Sequence, residues 1–204
     1  MSEYKQHIGN DTFYTMREMW MLVTQCPFIE KLEHLFDIKD ETMMSTYTQG
    51  GEQFNLDGSK FIPEQQLIIQ WLTDKFAELR LPFKINCINQ AWCVSYNKGG
   101  FQAMHRHNYD VLNPTGGDFS CVINFDDVPL LDDCEVNGCL YTMMPTPSGY
   151  QYYEEHPSKR GQATIMHADV WHGVYPTQHP RRCLVLDMNY TYDENMYEPN
   201  NKQV

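Results

Sequence analysis

From residue 84 onward the chain is a succession of short β-like segments, and this pattern restricts the possible folds most strongly. The candidate strands are 84–96, 101–107, 119–125, 140–144, 150–154, 162–166, 172–175 and 183–192. Gly, Pro, Asn and Asp cluster between them, as at 97–100 and 113–117, and such clusters mark turns. Short strands joined by irregular loops predict a mainly β protein, a double-stranded β-helix of the jelly-roll type.

The first 83 residues have a different pattern, which predicts helices that come before the strands. An apolar stripe at helical spacing runs from Pro63 to about Arg80, and Pro82 ends it. A weaker helical pattern covers Phe28 to Phe36, whereas 50–59 resembles a loop. We expect these N-terminal helices to cover the outer face of one sheet, because each needs an apolar partner surface.

At 204 residues, the chain has the length of one domain with a sizeable core. We therefore expect a single domain, 1–204, in three parts. These parts are an N-terminal helical support, 1–83, a jelly-roll core, 84–192, and a polar tail, 193–204.

The composition argues against several classes of partner. The net charge is −12 and no basic tract stands out, so we expect neither nucleic acid nor an anionic membrane surface as a partner. The seven cysteines contain no CxxC pair, which favours a reducing compartment over a disulfide framework. The N-terminus shows no signal-peptide pattern, and no apolar run reaches the length of a membrane span. We therefore expect a cytoplasmic protein.

Two histidines separated by one residue, His105 and His107, are the first candidate functional group. Side chains alternate along an extended segment, so both would point to one face and could bind one metal ion. His172, on a distant candidate strand, can complete a set of three imidazole ligands. Imidazole suits iron, zinc, copper and nickel, and three protein ligands leave coordination positions open for chemistry.

The residues around these histidines resemble the Fe(II)- and 2-oxoglutarate-dependent dioxygenase superfamily over roughly 84–192. The similarity is greatest to the prolyl-4-hydroxylase-like branch, which includes small bacterial and phage members. It rests on a strand ending in Tyr96 before the first histidine, and on Gly161 leading to His172-Gly-Val-Tyr-Pro176 and then a basic pair. The resemblance implies an enzyme that binds Fe(II) and uses 2-oxoglutarate and O2 to hydroxylate a substrate, releasing succinate and CO2.

The resemblance also implies which residues bind the metal. His105 matches the first ligand and His172 matches the distal ligand. The middle ligand is usually Asp or Glu two residues after the first, and His107 stands there instead, which is the main departure from the family pattern. Asp110 is the alternative middle ligand, because the loop after the strand could fold back. We favour His107, since strand alternation already places it on the face of His105.

The far carboxylate of 2-oxoglutarate needs a cation, and a guanidinium can bind it with two hydrogen bonds. Arg181 and Arg182 both lie at a spacing after the distal histidine that fits the family, but only one of them can face inward. The Arg181 face of the strand is the more polar, so we favour Arg181 and keep Arg182 as the alternative. Tyr96 resembles a tyrosine that often hydrogen-bonds this carboxylate, and Asn189 resembles an asparagine near the end of the last strand in small relatives.

Three alternatives stay open. His167 and Asp169 form a second closely spaced pair beside His172, with His179 as a further candidate ligand. A cupin-type dioxygenase or isomerase would also place a His-x-His pair and a distal histidine on a jelly roll, without 2-oxoglutarate. A non-catalytic jelly-roll binding module would carry these histidines incidentally.

The expected substrate is a small molecule or a peptide, with a prolyl peptide suggested by analogy alone. The loops 108–118, 126–137 and 145–160 should shape its entrance. The segment 126–133 carries four aspartates, which would repel anionic substrates and attract basic peptides.

Overall fold

The computed structural model describes residues 4–16, 19–38, 42–43, 47–107, 117–145 and 151–192. These residues form an antiparallel β structure with one α-helix, α1 (Ile62–Glu78), and one 3-10 helix, Ile29–Asp37. The strands are β1 (Tyr4–Ile8), β2 (Asp11–Met16), β3 (Met19–Gln25), β4 (Thr42–Met43), β5 (Thr48–Asn55), β6 (Phe83–His105), β7 (Phe119–Asn124), β8 (Leu140–Pro145), β9 (Gln151–His156), β10 (Gln162–His167), β11 (Trp171–Val174) and β12 (Arg181–Tyr192). No helix in this described part of the chain is long and apolar enough to cross a membrane.

The strands curl into a jelly-roll-like sheet in which β6 belongs to two halves. One half has the order β10-β7-β12-β6 and the other has the order β6-β11-β8-β9. The part of β6 up to Tyr96 pairs with β12, whereas Gln102 and His105 pair with β11. The prediction of a mainly β, jelly-roll-like fold is therefore confirmed.

Two glycines allow β6 to change partners. Gly99 has a φ of +83°, a conformation that side chains with a Cβ rarely adopt. A Cβ at Gly100 would lie only 2.6 Å from the carbonyl oxygen of Gly50, so the backbones could not approach as they do. The predicted strands 84–96 and 101–107 are thus one strand with an internal bend, and regular pairing ends at His105.

Hydrophobic side chains form two clusters that use opposite faces of β12. The larger cluster joins the outer face of β12 to the two helical segments, and its members include Leu32, Leu35, Phe36, Ile68, Leu72, Phe76, Phe119, Leu184 and Leu186. The smaller cluster uses the inner face, and its members include Met21, Trp92, Val94, Tyr96, Val122, Met166, Cys183 and Val185. The inner cluster provides the apolar surroundings for the candidate site.

The described part of 1–83 contains five strands in addition to the helical segments, so the predicted N-terminal helical support is only partly helical. Strands β1, β2 and β3 extend the sheet beyond β10, and β5 pairs with β6. The loop predicted at 50–59 is wrong for 50–55, which belong to β5. The pattern of β5 is misleading because its stability comes from hydrogen bonds to β6, while only Gln53 and Phe54 are buried.

The helical segments lie where the sequence predicted helical structure. The helix α1 begins at Ile62, with Pro63 in its first turn, where a missing N–H costs nothing. It ends at Glu78, and Arg80 adopts a positive φ of 56°, so the chain leaves the helix before the predicted end. The weaker pattern forms a 3-10 helix, Ile29–Asp37. The predicted polar tail lies outside the described residues.

Candidate metal centre

Three histidines from two distant segments of the chain converge in the interior. His172 on β11 stands directly opposite His105 at the end of β6, and His107 lies two residues beyond His105. Each offers one ring nitrogen, and these three atoms lie within 4.8 Å of one another. The Nε2 atoms of His105 and His107 are 2.9 Å apart, and all three residues are buried. Among the described residues, this is the one group of three or more potential ligands that could hold a metal ion.

The three rings are held by hydrogen bonds at their other nitrogen. The Nδ1 atoms of His105 and His172 face the carbonyl oxygens of Ala103, at 2.9 Å, and of Val170, at 3.0 Å. A carbonyl only accepts, so both Nδ1 atoms carry hydrogen. The remaining ring, His107, directs Nδ1 toward a carboxylate 2.6 Å away. In the neutral rings the Nε2 lone pairs are therefore left for a common centre.

Burial favours the neutral form of two of these rings. It lowers the pKa of His105 to about 4, and the nearby His107 ring adds to this effect. Burial also lowers the pKa of His172 well below its ordinary value, with further contributions from His105 and His107. A neutral imidazole is the form that binds metals, so these two residues are in the ligating state at neutral pH.

The donor set fits a divalent transition-metal ion. Two Nε2 lone pairs 2.9 Å apart repel each other unless a proton or a cation lies between them. Burial disfavours a proton on His105, and the convergence of three ring nitrogens fits a metal ion. Three imidazole nitrogens suit Fe(II), Ni(II), Cu(II) or Zn(II) and leave coordination positions for other ligands.

Arg181 is a buried guanidinium without an acidic partner among the described residues. It is fully buried at the start of β12, and its contacts are Asn124 Oδ1 at 2.7 Å, Cys183 Sγ at 3.7 Å and the face of the Tyr96 ring. Its Nε is buried and has no hydrogen-bond partner, and no carboxylate of the described residues pairs with it. A buried, uncompensated cation with a free N–H is costly, so this geometry fits an anionic ligand.

The neighbouring arginine has a different environment. Arg182 donates hydrogen bonds from Nη2 and Nε to the carboxylate of Asp126, at 2.7 and 3.1 Å, and its guanidinium lies over the Phe36 ring. The side chain is about one-third exposed on the outer face. Its charge is already compensated by Asp126, whereas no described carboxylate compensates that of Arg181.

The three remaining predicted residues, Tyr96, Asn189 and Asp110, differ in their positions relative to the histidines. Tyr96 is buried beneath Arg181, its hydroxyl donates to Gln102 Oε1 at 3.3 Å, and burial raises its pKa. Asn189 accepts from the Asn89 amide at 2.9 Å in an exposed setting, so its contacts lie away from the histidines. Asp110, the alternative middle ligand, lies outside the described residues.

The rival pair His167 and Asp169 makes local contacts instead of joining the three-histidine group. The backbone N–H of Asp169 donates to His167 Nδ1 at 3.2 Å, and the Asp169 carboxylate lies 3.7 Å from the Arg106 guanidinium. Both residues are partly exposed. The arrangement is that of a turn following β10.

Several further residues contact the histidines, and sequence reasoning gave none of them a role at a metal site. The ring of Trp92 stacks on His107 and that of Tyr47 stacks on His105. The carboxylate near His107 Nδ1 belongs to Asp187, and Ser120 Oγ lies 3.1 Å from the same nitrogen. The one available signal was an aspartate within the otherwise apolar run of β12, since a buried charge normally has a partner.

No protein-family model matches the chain, and no curated protein matches its sequence. Solved structures do match its fold. A prolyl-4-hydroxylase from Pseudomonas putida aligns with a TM-score of 0.57 at 12% identity, covering 82% of this chain and 91% of that chain. A Trichoplax adhaerens prolyl hydroxylase, solved in complex with a hypoxia inducible factor peptide fragment, aligns with a TM-score of 0.58 at 11% identity, covering 86% and 84%. HygX from Streptomyces hygroscopicus, solved with nickel and 2-oxoglutarate bound, aligns with a TM-score of 0.53 at 11% identity, and the alignment covers 81% of each chain.

These similarities establish the fold. The chain has the fold of the 2-oxoglutarate- and Fe(II)-dependent oxygenases, as the sequence resemblance predicted. At identities of 11–12%, the assignment of activity must rest on the residues of this chain.

Proposed function

We propose that the protein is an Fe(II)- and 2-oxoglutarate-dependent dioxygenase that hydroxylates its substrate with release of succinate and CO2. The observation that carries this proposal is the pairing of two features inside one curled sheet. Three imidazole nitrogens converge within 4.8 Å of one another, and a fully buried Arg181 keeps an Nε–H without a hydrogen-bond partner. One feature suits a metal ion and the other suits the carboxylate of a ligand bound beside it.

In this proposal His105, His107 and His172 hold Fe(II). Arg181 binds the far carboxylate of 2-oxoglutarate, and the Tyr96 ring packs against the guanidinium. Asn124 orients the guanidinium by accepting from Nη2, which leaves Nε for the ligand. Bound iron supplies the oxidation chemistry, coupling the decarboxylation of 2-oxoglutarate by O2 to hydroxylation of a C–H bond.

The residues of the chain position the reactants and exclude water. Apolar side chains of the inner cluster surround the site, including Val94, Val122 and Val185. A low-dielectric surrounding strengthens the attraction between Arg181 and a carboxylate. No acid–base pair is needed for hydroxylation, so the three histidines and one arginine form a sufficient minimal set.

The substrate class that we propose is a peptide or a small molecule. The Trichoplax neighbour is described with a bound peptide fragment, which supports the peptide. The acidic charge of the chain argues against nucleic acid as a substrate. All seven cysteines are free, which is consistent with a site of action in the cytoplasm.

The decisive experiment is an anaerobic titration of the Fe(II)-loaded protein with 2-oxoglutarate, followed by visible absorption. A keto acid that chelates Fe(II) gives a weak charge-transfer band. We expect the band in the wild type, its loss in His105→Ala, and its appearance only at much higher 2-oxoglutarate concentration in Arg181→Gln. The variant Arg182→Gln is the matched control, because it removes the same charge one residue away.

One observation favours a second candidate. The ligand set contains three histidines and no carboxylate, and a cupin-type dioxygenase or isomerase would use histidines without 2-oxoglutarate. The same titration separates the two candidates. Iron binding without any charge-transfer band would favour the cupin-type enzyme, and an absence of iron binding would favour a non-catalytic binding module.

A further inference from the structure

A buried aspartate, Asp187, stands behind His107. It lies on the inner face of β12 and is 1% exposed. Its Oδ1 is 2.6 Å from His107 Nδ1, a distance typical of a charge-assisted hydrogen bond. Asp187 pairs in register with Ser120 of β7, and the Ser120 hydroxyl lies 3.1 Å from the same nitrogen. Two neighbouring strands thus direct polar groups onto one ring.

A buried carboxylate at this point needs positive charge nearby. The preceding residue on the same face of β12, Val185, is apolar and buried. A neutral imidazole donates one hydrogen bond but brings no net charge to balance the carboxylate. A metal ion on the opposite nitrogen of His107 would supply that charge through the ring. The histidine would then connect a cation on one side with an anion on the other.

We propose that Asp187 is the positioning residue that supplies, through His107, the negative charge that an aspartate or glutamate ligand contributes in related sites. This proposal rests on the proposed function for the identity of the metal and of the cosubstrate. In this site the carboxylate would contact the imidazole ring that binds the metal, instead of the metal itself. His107 can therefore replace a carboxylate ligand without leaving the centre more positive.

The formal charges of the interior support this assignment. A divalent ion and Arg181 together carry three positive charges. A 2-oxoglutarate dianion and an ionised Asp187 together carry three negative charges. The filled interior is neutral with Asp187 ionised and carries an uncompensated positive charge without it, which burial penalises.

The roles of Asp187 and Ser120 can be separated. Both contact His107 Nδ1, and both can fix the orientation of the ring. Only Asp187 adds charge and increases the electron-donating strength of the imidazole. A variant that keeps the shape and removes the charge, Asp187→Asn, tests the charge alone, because the amide oxygen can still accept the N–H.

The experiment is anaerobic calorimetric titration of Fe(II) into the metal-free protein, in the absence of 2-oxoglutarate. We expect Asp187→Asn to weaken Fe(II) binding by about 10- to 100-fold, the range found for ligand-orienting carboxylates. Ser120→Ala should weaken it less than Asp187→Asn does. The matched control is Asp118→Asn, which removes an exposed carboxylate close to the same strands and should leave Fe(II) affinity unchanged.

A second readout distinguishes charge from structure. Loss of a negative charge near iron destabilises Fe(III) more than Fe(II), so the reduction potential should rise in Asp187→Asn and stay close to the wild-type value in Ser120→Ala. Thermal unfolding of the metal-free variants checks that each is folded. A folded Asp187→Asn with wild-type Fe(II) affinity and potential would overturn the proposal. Equal losses of affinity in Asp187→Asn and Ser120→Ala would also overturn it, because orientation alone would then explain both.

The outcome is separable from that of the proposed function. Iron affinity that depends on Asp187, together with no charge-transfer band on addition of 2-oxoglutarate, would sustain the role of Asp187 and reject the dioxygenase. If Asp187→Asn keeps both the charge-transfer band and the wild-type iron affinity, the dioxygenase proposal would be sustained and the role of Asp187 rejected. If the wild type binds no Fe(II), both proposals fail.

Discussion

The two faces of β12 show how one strand serves two purposes. The inner face carries Arg181, Val185 and Asp187, and the outer face carries Arg182 and Leu186. The outer face packs against the helical segments in the larger cluster, and its arginine is neutralised by Asp126. The inner face is also buried, but its arginine has no acidic partner among the described residues, and its aspartate contacts a histidine of the three-histidine group.

The difference teaches that the partners of a charged side chain, as well as its burial, separate the two roles. On the outer face charges are matched within the protein, which is the arrangement of a stable packing surface. On the inner face Arg181 retains unsatisfied binding capacity, which the protein keeps at a cost in stability. Such unmatched groups are typical of sites that await a ligand.

The largest expected effect comes from Arg181→Gln on the inner face. We expect the Kd for 2-oxoglutarate of the Fe(II)-loaded protein to rise by at least ~1,000-fold, equivalent to about 4 kcal/mol, because a buried carboxylate would lose its charged partner. The metal-free variant should be at least as stable as the wild type in urea unfolding, since an unpaired buried charge has been removed. Unchanged 2-oxoglutarate affinity would show that the arginine of the inner face is not the anion-binding residue.

The next largest effect should come from Leu186→Ala on the outer face. The leucine is fully buried in the larger cluster, and its truncation leaves a cavity. We expect a loss of about 3 kcal/mol in the free energy of unfolding, measured in urea. Fe(II) and 2-oxoglutarate affinities, measured well below the unfolding midpoint, should match the wild type. A loss of iron affinity in the folded variant would mean that the faces are coupled.

A smaller effect should follow from Asn124→Ala. Its side-chain oxygen accepts from Arg181 Nη2 at 2.7 Å and so orients the guanidinium. We expect roughly tenfold weaker 2-oxoglutarate binding, because one orienting hydrogen bond to a charged group is lost. Iron affinity measured without 2-oxoglutarate should not change, and a change there would place Asn124 in a different role.

The smallest effect should come from Arg182→Gln. The pair with Asp126 is partly exposed, and such pairs contribute at most ~1 kcal/mol to stability. We expect a decrease in unfolding free energy within that limit and a wild-type Kd for 2-oxoglutarate. Raising the salt concentration should reduce the difference from the wild type, since exposed charges are screened. A large rise in Kd would assign the anion site to Arg182.

The parts of the molecule that could be predicted from the sequence are those with local signals. Turn clusters and alternating runs located the strands from β6 to β12, and a helical stripe located α1. The His105–His107 spacing identified one pair of candidate ligands, and the polar character of one β12 face favoured Arg181 over Arg182. These features depend on residues within a few positions of one another.

Other parts had no local signal. The strand β5 exists because β6 offers it hydrogen bonds, and 50–55 alone resemble a loop. The predicted strand over 101–107 suggested that regular alternation would place His107, but pairing ends at His105. The position of His107 is supported instead by its N–H, which donates to the carbonyl of Ala168 at 3.0 Å. That contact joins two segments about sixty residues apart, which no local pattern reveals.

The sequence by itself determined the class of fold, the pair of histidines and the two candidate arginines, because strand alternation and turn chemistry act over a few residues. Only the tertiary structure decided which arginine lacks an acidic partner among the described residues, and only it brought Asp187 to His107 across 80 positions of the chain. The physical reason is that the environment of a charge is set by the elements packed around it. Those contacts come from strand register and sheet curvature, which are properties of the whole fold.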